Sequence, residues 1–176
     1  GVNHNGSLKI AKQLVDVAAD AGADAVKFQT FQSEKFISKN APKAEYQKET
    51  TGNDDSQFEM VKKLELSEEA LKVLIHHCQK KEIQFLSTPF DVTSLNLLTC
   101  RFGMEIIKIP SGEITNAPFL LAVSLAAKMV IMSTGMSSFA EVESALGVLA
   151  FGFTSSDTSI PKLSDFEQAF SSSNGQ

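Results

Sequence analysis

Lys27 lies in Ala25-Val26-Lys27-Phe28-Gln29-Thr30-Phe31 and Lys108 in Ile106-Ile107-Lys108-Ile109-Pro110, two otherwise apolar runs with strand character. Side chains alternate along a strand, so Lys27 and Gln29 share one face while Val26, Phe28 and Thr30 take the other. An ammonium on a covered face is costly to desolvate unless it meets an anion. That anion is either a carboxylate on a neighbouring strand or a bound ligand. Hydroxyls and turn amides recur nearby, in Ser87-Thr88-Pro89, Ser111-Gly112-Glu113 and Ser133-Thr134-Gly135. Singly, such tripeptides are ordinary turn chemistry. Repeated at the ends of successive strands beside two lysines, they make a cradle for an oxyanion or a phosphate. Glu113 adds a carboxylate at one of those strand ends.

The histidines carry less. His76 and His77 fall in a helical pattern and read as surface or flanking residues. His4, in Asn3-His4-Asn5-Gly6, is placed either to bind substrate or to satisfy its own loop. No pair of His or carboxylate residues has metal-ligand spacing. Cys78 and Cys100 show no Cys-x-x-Cys pattern and read as structural thiols of a reducing compartment.

The elements that must hold these residues follow from periodicity. Ser7 is a candidate N-cap for a helix whose face is Leu8, Ala11, Leu14, Val15 and Ala18, closed by Gly22. Ser67 with Glu68 and Glu69 opens a second helix, lined by Leu71, Leu74, Ile75 and Cys78. Further helices are expected over Ser94–Cys100, over Pro118–Ala126 behind the cap Asn116, and after the capping-box pair Ser138 and Glu141. Strands are expected over Ala25–Phe31, Ile83–Thr88, Glu105–Ile109 and Met129–Ser133. Strands alternating with helices imply an α/β fold with parallel strands, either an open doubly wound sheet or a (β/α)₈ barrel. No Gly-x-Gly-x-x-Gly follows any strand, which disfavours a dinucleotide fold. The polar connection from Gln32 to Leu66 breaks the short rhythm and leaves a strand's C-terminal end, as a substrate lid would.

Composition sets the outer bounds. The 176 residues are 43% hydrophobic and 21% charged with a net charge of −5, ordinary for a globular protein with one real core. The acidic balance without a basic stripe argues against nucleic acid as a partner. No apolar run approaches the length of a membrane span and no leader is visible, so the cytoplasm is the expected compartment. The chain starts without Met and finishes in a polar Ser-rich stretch, which reads as a fragment of a longer protein.

In order and at matching intervals, Gly1-Val2-Asn3-His4-Asn5-Gly6-Ser7, Gly22-Ala23-Asp24-Ala25-Val26-Lys27-Phe28-Gln29-Thr30, Phe85-Leu86-Ser87-Thr88-Pro89-Phe90, Ile107-Lys108-Ile109-Pro110-Ser111-Gly112-Glu113 and Met132-Ser133-Thr134-Gly135-Met136 resemble the βα-loop motifs of bacterial sialic acid synthases. The likeness runs from Gly1 to about Phe153, and residues 154–176 form a polar segment beyond it. It implies a partial (β/α)₈ TIM barrel, about strands 2–5, in an enzyme that joins phosphoenolpyruvate to N-acetylmannosamine or a related N-acetylated amino sugar. It implies that Lys27, Thr88, Lys108, Ser111 and Ser133 hold phosphoenolpyruvate, that Gln29 and Asn53 meet the sugar, and that Glu113 handles protons or water. It further implies a divalent metal, Mn or Mg, that polarises the sugar aldehyde through ligands outside this chain, and a homodimer. A glutamate before Gly1, two histidines beyond Gln176 and a partner-subunit arginine, all expected in the family, are not in this sequence. Two rival readings remain: a Schiff-base aldolase using Lys27 or Lys108, and a non-catalytic anion-binding fragment.

Overall fold

Ser7 begins the first helix, accepting the Ile10 amide on its hydroxyl at 3.4 Å, in a computed structural model that describes residues 1–36, 56–155 and 161–172. Helix α1 (Leu8–Asp20) buries Ala11 and Val15, and Gly22 follows it at φ +76°, a backbone that reverses the chain without a Cβ penalty. Strand β1 (Ala25–Thr30) then pairs in parallel with β2 (Gln84–Pro89), setting Lys27 opposite Leu86 and Gln29 opposite Thr88. Between them lie α2 (Ser33–Phe36), α3 (Gln57–Lys62) and α4 (Glu68–Lys80). Ser67 caps α4 and accepts the Ala70 amide, with Glu68 and Glu69 complementing the dipole in the first turn. Helices α1 and α4 cover the Phe28 face of β1, and Ala11, Val15, Phe28, Leu74, Cys78 and Ile83 form a core there. The carbonyls of Asp24 and Thr30 accept from Gln84 and Phe90 on the β2 side, so the odd-numbered Lys27 carbonyl faces the other edge. There it accepts from the Gly1 nitrogen at 2.6 Å.

The chain divides into two units, residues 1–94 and 95–176. Near the boundary, α5 (Val92–Asn96) is a short α-helix and Leu97–Arg101 is a π-helical turn. The second unit is built on β3 (Ile106–Ile109) paired in parallel with β4 (Met129–Met132). Helices α6 (Ala117–Ala126), α7 (Phe139–Thr154) and α8 (Leu163–Ser171) complete it. Ile107, Ile109, Phe119, Leu120, Val123 and Val148 centre its core. A Cβ on Gly152 would lie 1.8 Å from the Ser124 hydroxyl, so α6 and α7 approach through two small residues. Phe166 of α8 meets Phe151 of α7 edge-on at 5.4 Å.

Several expectations need adjusting. Among the described residues the strands form two two-stranded parallel sheets. Each pair has its own helices over one face and its own core. The helix expected over Ser94–Cys100 is a short α-helix giving way to a π turn. Of the Gln32–Leu66 connection, the described ends carry α2 and α3, while residues 37–55 lie outside the described residues. The polar segment after residue 154 carries α8. Among the described residues no helix is long and apolar enough to cross a membrane.

Candidate functional site

Register places the lysines. In a parallel pair, partnered residues point the same way, and the residue two further on returns to that face. Lys27 is partnered with Leu86, and two residues on stands Thr88, whose Oγ1 is 3.4 Å from the Lys27 Nζ. Lys108 is partnered with Ile131, and two residues on stands Ser133, whose hydroxyl accepts from the Lys108 Nζ. The same Lys108 ammonium also donates to the Ile109 carbonyl at 2.5 Å. One geometric device thus occurs twice, a strand lysine reaching a hydroxyl at the C-terminal end of the next strand.

In both pairs the lysine occupies the face turned from the helices. Phe28, Ile107 and Ile109 fill the covered face, while Met129 and Ile131 remain substantially exposed beside Lys108. Among the described residues no carboxylate pairs with Lys27. Partial burial instead pulls its ammonium below the ordinary lysine range. A cation made easier to desolvate further by an incoming anion suits phosphate or carboxylate binding. Gln29 is half-buried on the Lys27 face, opposite Thr88.

Ser87 is a correction to the sequence reading. Its hydroxyl lies on the helix side, fully buried, and shares a 2.8 Å hydrogen bond with the Thr30 hydroxyl. Strand alternation gives Thr88 to the lysine face and removes Ser87 from it. Past β3, Ser111 and Glu113 stand on a single 3₁₀ turn, in which the Glu113 amide donates to the Pro110 carbonyl at 3.0 Å. The Glu113 carboxylate accepts the Asn116 side-chain amide at 2.7 Å. Asn53 lies outside the described residues. Lys27, Gln29 and Thr88 thus belong to the first unit, and Lys108, Ser111, Glu113 and Ser133 to the second.

His4 turns out to be fully buried. Its Nδ1 accepts the Gly6 amide at 3.0 Å and its ring lies 5.9 Å from that of Phe28. Burial holds its pKa below the ordinary histidine value. Gly6, at φ +75°, is wedged in place, since a Cβ there would sit 2.0 Å from the Lys63 carbonyl oxygen. His77 instead ties α4 to α1 through Asp16 at 2.9 Å, and Lys81 shares that carboxylate at 3.0 Å. The Lys81 hydrogen bond keeps the Asp16 carboxyl below the usual carboxylate range.

Three polar residues have duties the sequence reading missed. Asp91 accepts the Gln32 amide at 3.2 Å together with the amide and hydroxyl of Ser94, at 2.8 and 2.7 Å. Glu65 accepts both the amide and the hydroxyl of buried Ser33, at 3.0 and 2.6 Å. The third is Asn116, a cap that also holds Glu113. Asp91-x-x-Ser94 has capping spacing and was readable in principle, whereas nothing local announces Glu65. Among the described residues no group of three or more His, Cys, Asp or Glu side chains could hold a metal.

Residues 14–164 match the NeuB family. The chain is 55% identical over 149 residues to the N,N'-diacetyllegionaminic acid synthase of Campylobacter jejuni, covering 85% of this chain and 44% of that protein. With the enzyme of the same name from Legionella pneumophila it shares 47% over 146 residues, 83% of this chain and 41% of the other. Among solved structures, the N-acetylneuraminic acid (sialic acid) synthetase of Leptospira borgpetersenii, in complex with citrate, aligns with a TM-score of 0.73 at 33% identity. That alignment covers 94% of this chain and 55% of the other. The chain spans less than half the length of these two curated relatives. The match extends through all four strands and across both lysine–hydroxyl pairs, and the chain belongs to the NeuB family.

Proposed function

We propose that the protein carrying this chain condenses phosphoenolpyruvate with an N-acetylated amino sugar, N-acetylmannosamine or a close relative, to give a sialic acid-type product and phosphate. The observation that carries this reading is the twice-repeated lysine–hydroxyl device. Each pair sets an ammonium beside a hydroxyl, which suits an anionic group such as a phosphate or a carboxylate. The relatives are named as legionaminic and sialic acid synthases, which fits that substrate pair.

In this reading Lys27 with Thr88, and Lys108 with Ser111 and Ser133, hold the phosphate and carboxylate of phosphoenolpyruvate. Gln29 and Asn53 meet the amino sugar. C3 of the enol attacks the sugar aldehyde carbon, a carbon–carbon bond forms, and the aldehyde oxygen takes up a proton. Water then adds at C2 and gives up a proton, for which Glu113 is the acceptor. The C2–O bond to phosphate breaks, leaving a keto acid and inorganic phosphate. Lys27 and Lys108 offset the charge on the departing phosphate. The described residues offer no ligand set for the divalent metal that the resemblance implies, so no step is assigned to it. Four strands with their helices would form part of a (β/α)₈ barrel, about its second to fifth strands. Residues 154–176 lead onward from it, and the complete enzyme is a homodimer.

The test is to incubate the full-length protein with phosphoenolpyruvate and candidate amino sugars, following phosphate release and product mass. Phosphate release that requires both substrates supports the synthase. A borohydride-trapped pyruvate adduct on Lys27 or Lys108, with no phosphate release, would establish the aldolase reading instead.

A further inference from the structure

Asn116 joins two structures that capping alone does not require to be joined. Its Oδ1 accepts the Phe119 amide at 3.3 Å, which caps α6. Its Nδ2 donates to Glu113 Oε2 at 2.7 Å, and its own backbone amide donates to the Glu113 carbonyl at 3.0 Å. Glu113 is therefore gripped at both ends, main chain and carboxylate, by one residue whose amide plane is fixed by the helix it starts. An N-cap needs only an acceptor, and Ser, Asp or Asn serve about equally well. The donor half of the amide is surplus to capping, and it is aimed at the one carboxylate in this strand-end turn. Both hydrogen bonds use the same side-chain plane, so capping α6 and orienting the carboxylate become one event.

We propose that Asn116 is a positioning residue for the synthase reaction, holding one oxygen of Glu113 so that the other is presented to the reacting water. The inference rests on the functional reading above. It also explains why an amide rather than a hydroxyl or a carboxylate stands at this cap: Asp would repel Glu113, and Ser is too short to cap and reach it together.

The test uses Asn116→Asp and Asn116→Ser in the full-length enzyme. Both keep an acceptor for the cap, so the fold should survive, with thermal midpoints only slightly below the wild-type value. Both should lower kcat at least tenfold while the KM for phosphoenolpyruvate and for the sugar stays within about twofold, since a misplaced carboxylate harms the chemical step more than binding. In a Glu113→Gln background, adding Asn116→Asp should cause no further loss, because the two residues act as one unit. A residue that only capped the helix would give an active, stable Asn116→Asp enzyme, and that result overturns the inference. So does a loss that multiplies in full on top of Glu113→Gln. A wild-type enzyme inert toward phosphoenolpyruvate with every amino sugar tried would instead remove the functional reading, and this inference with it.

Discussion

At the scale of single residues, alternation decides who can reach a ligand. Thr88 and Ser87 are neighbours in sequence, yet Thr88 faces Lys27 and Ser87 bonds Thr30 beneath the helices. The shared face of Lys27 and Gln29 was legible from parity, whereas the approach of Thr88 to Lys27 depends on the register of β1 with β2, which parity within one strand does not give. The loss of Ser87 follows from the parity rule, applied one residue along. The second duty of Asn116 was not legible, because a capping pattern reports only the acceptor. Lys108→Met in the full-length enzyme should raise the KM for phosphoenolpyruvate roughly ten- to a hundred-fold, a charge-assisted contact being worth about 1.5–3 kcal/mol. The KM for the sugar should stay near wild type, and unchanged kinetics toward phosphoenolpyruvate would remove Lys108 from the site. Asn53→Ala should do the reverse, weakening the sugar and sparing phosphoenolpyruvate. His4 supplies a pH prediction. Its folded pKa lies below the ordinary 6.5, so the unfolded chain binds more protons in the window between the two values. Stability is therefore lost as pH falls through 6.5 toward the depressed value. Thermal midpoints between pH 7 and 5 should fall less steeply in His4→Gln than in wild type.

Between elements, small residues set how closely helices approach. Ser124 and Gly152 let α6 and α7 touch where larger side chains would hold them apart. Gly152→Ala should destabilise the protein by roughly 1–3 kcal/mol, as overpacking does, despite alanine's better helix propensity of about 1 kcal/mol. Adding Ser124→Gly should return most of that loss, and chemical denaturation of the single and double variants would show it. The caps at Ser7, Ser67 and Ser138 were readable because a cap and its partner lie within one turn. The Ser33–Glu65 contact was not, because its partners are 32 residues apart and no periodicity links them. The π turn at Leu97–Arg101 was likewise invisible, since an apolar stripe does not distinguish five-residue from four-residue hydrogen bonding.

For the molecule as a whole, strand–helix alternation was enough to read an α/β fold with parallel strands, but pairing order was beyond it. Periodicity says that a strand exists and which face is covered, not which edge it shares. Among the described residues each sheet has two strands, and Met129 and Ile131 stand exposed on the lysine-bearing face of the second. Unpaired edges next to apolar surface favour self-association. The 176-residue chain, purified alone, should elute as aggregates or oligomers and turn over no phosphoenolpyruvate with N-acetylmannosamine and manganese. Turnover at the rate of the complete enzyme would mean that the catalytic machinery is misassigned. The paired anchors at Gln32–Ser33 and Glu65 have a different kind of consequence. Asp91 and Glu65 fix both ends of a long connection beside the end of β1, so its length is uncoupled from strand register. Doubling a closed loop costs only about 0.6 kcal/mol. Descendants of this sequence are therefore free to lengthen, shorten or rewrite the stretch between the anchors, while the strands inherit the same lysines in the same places.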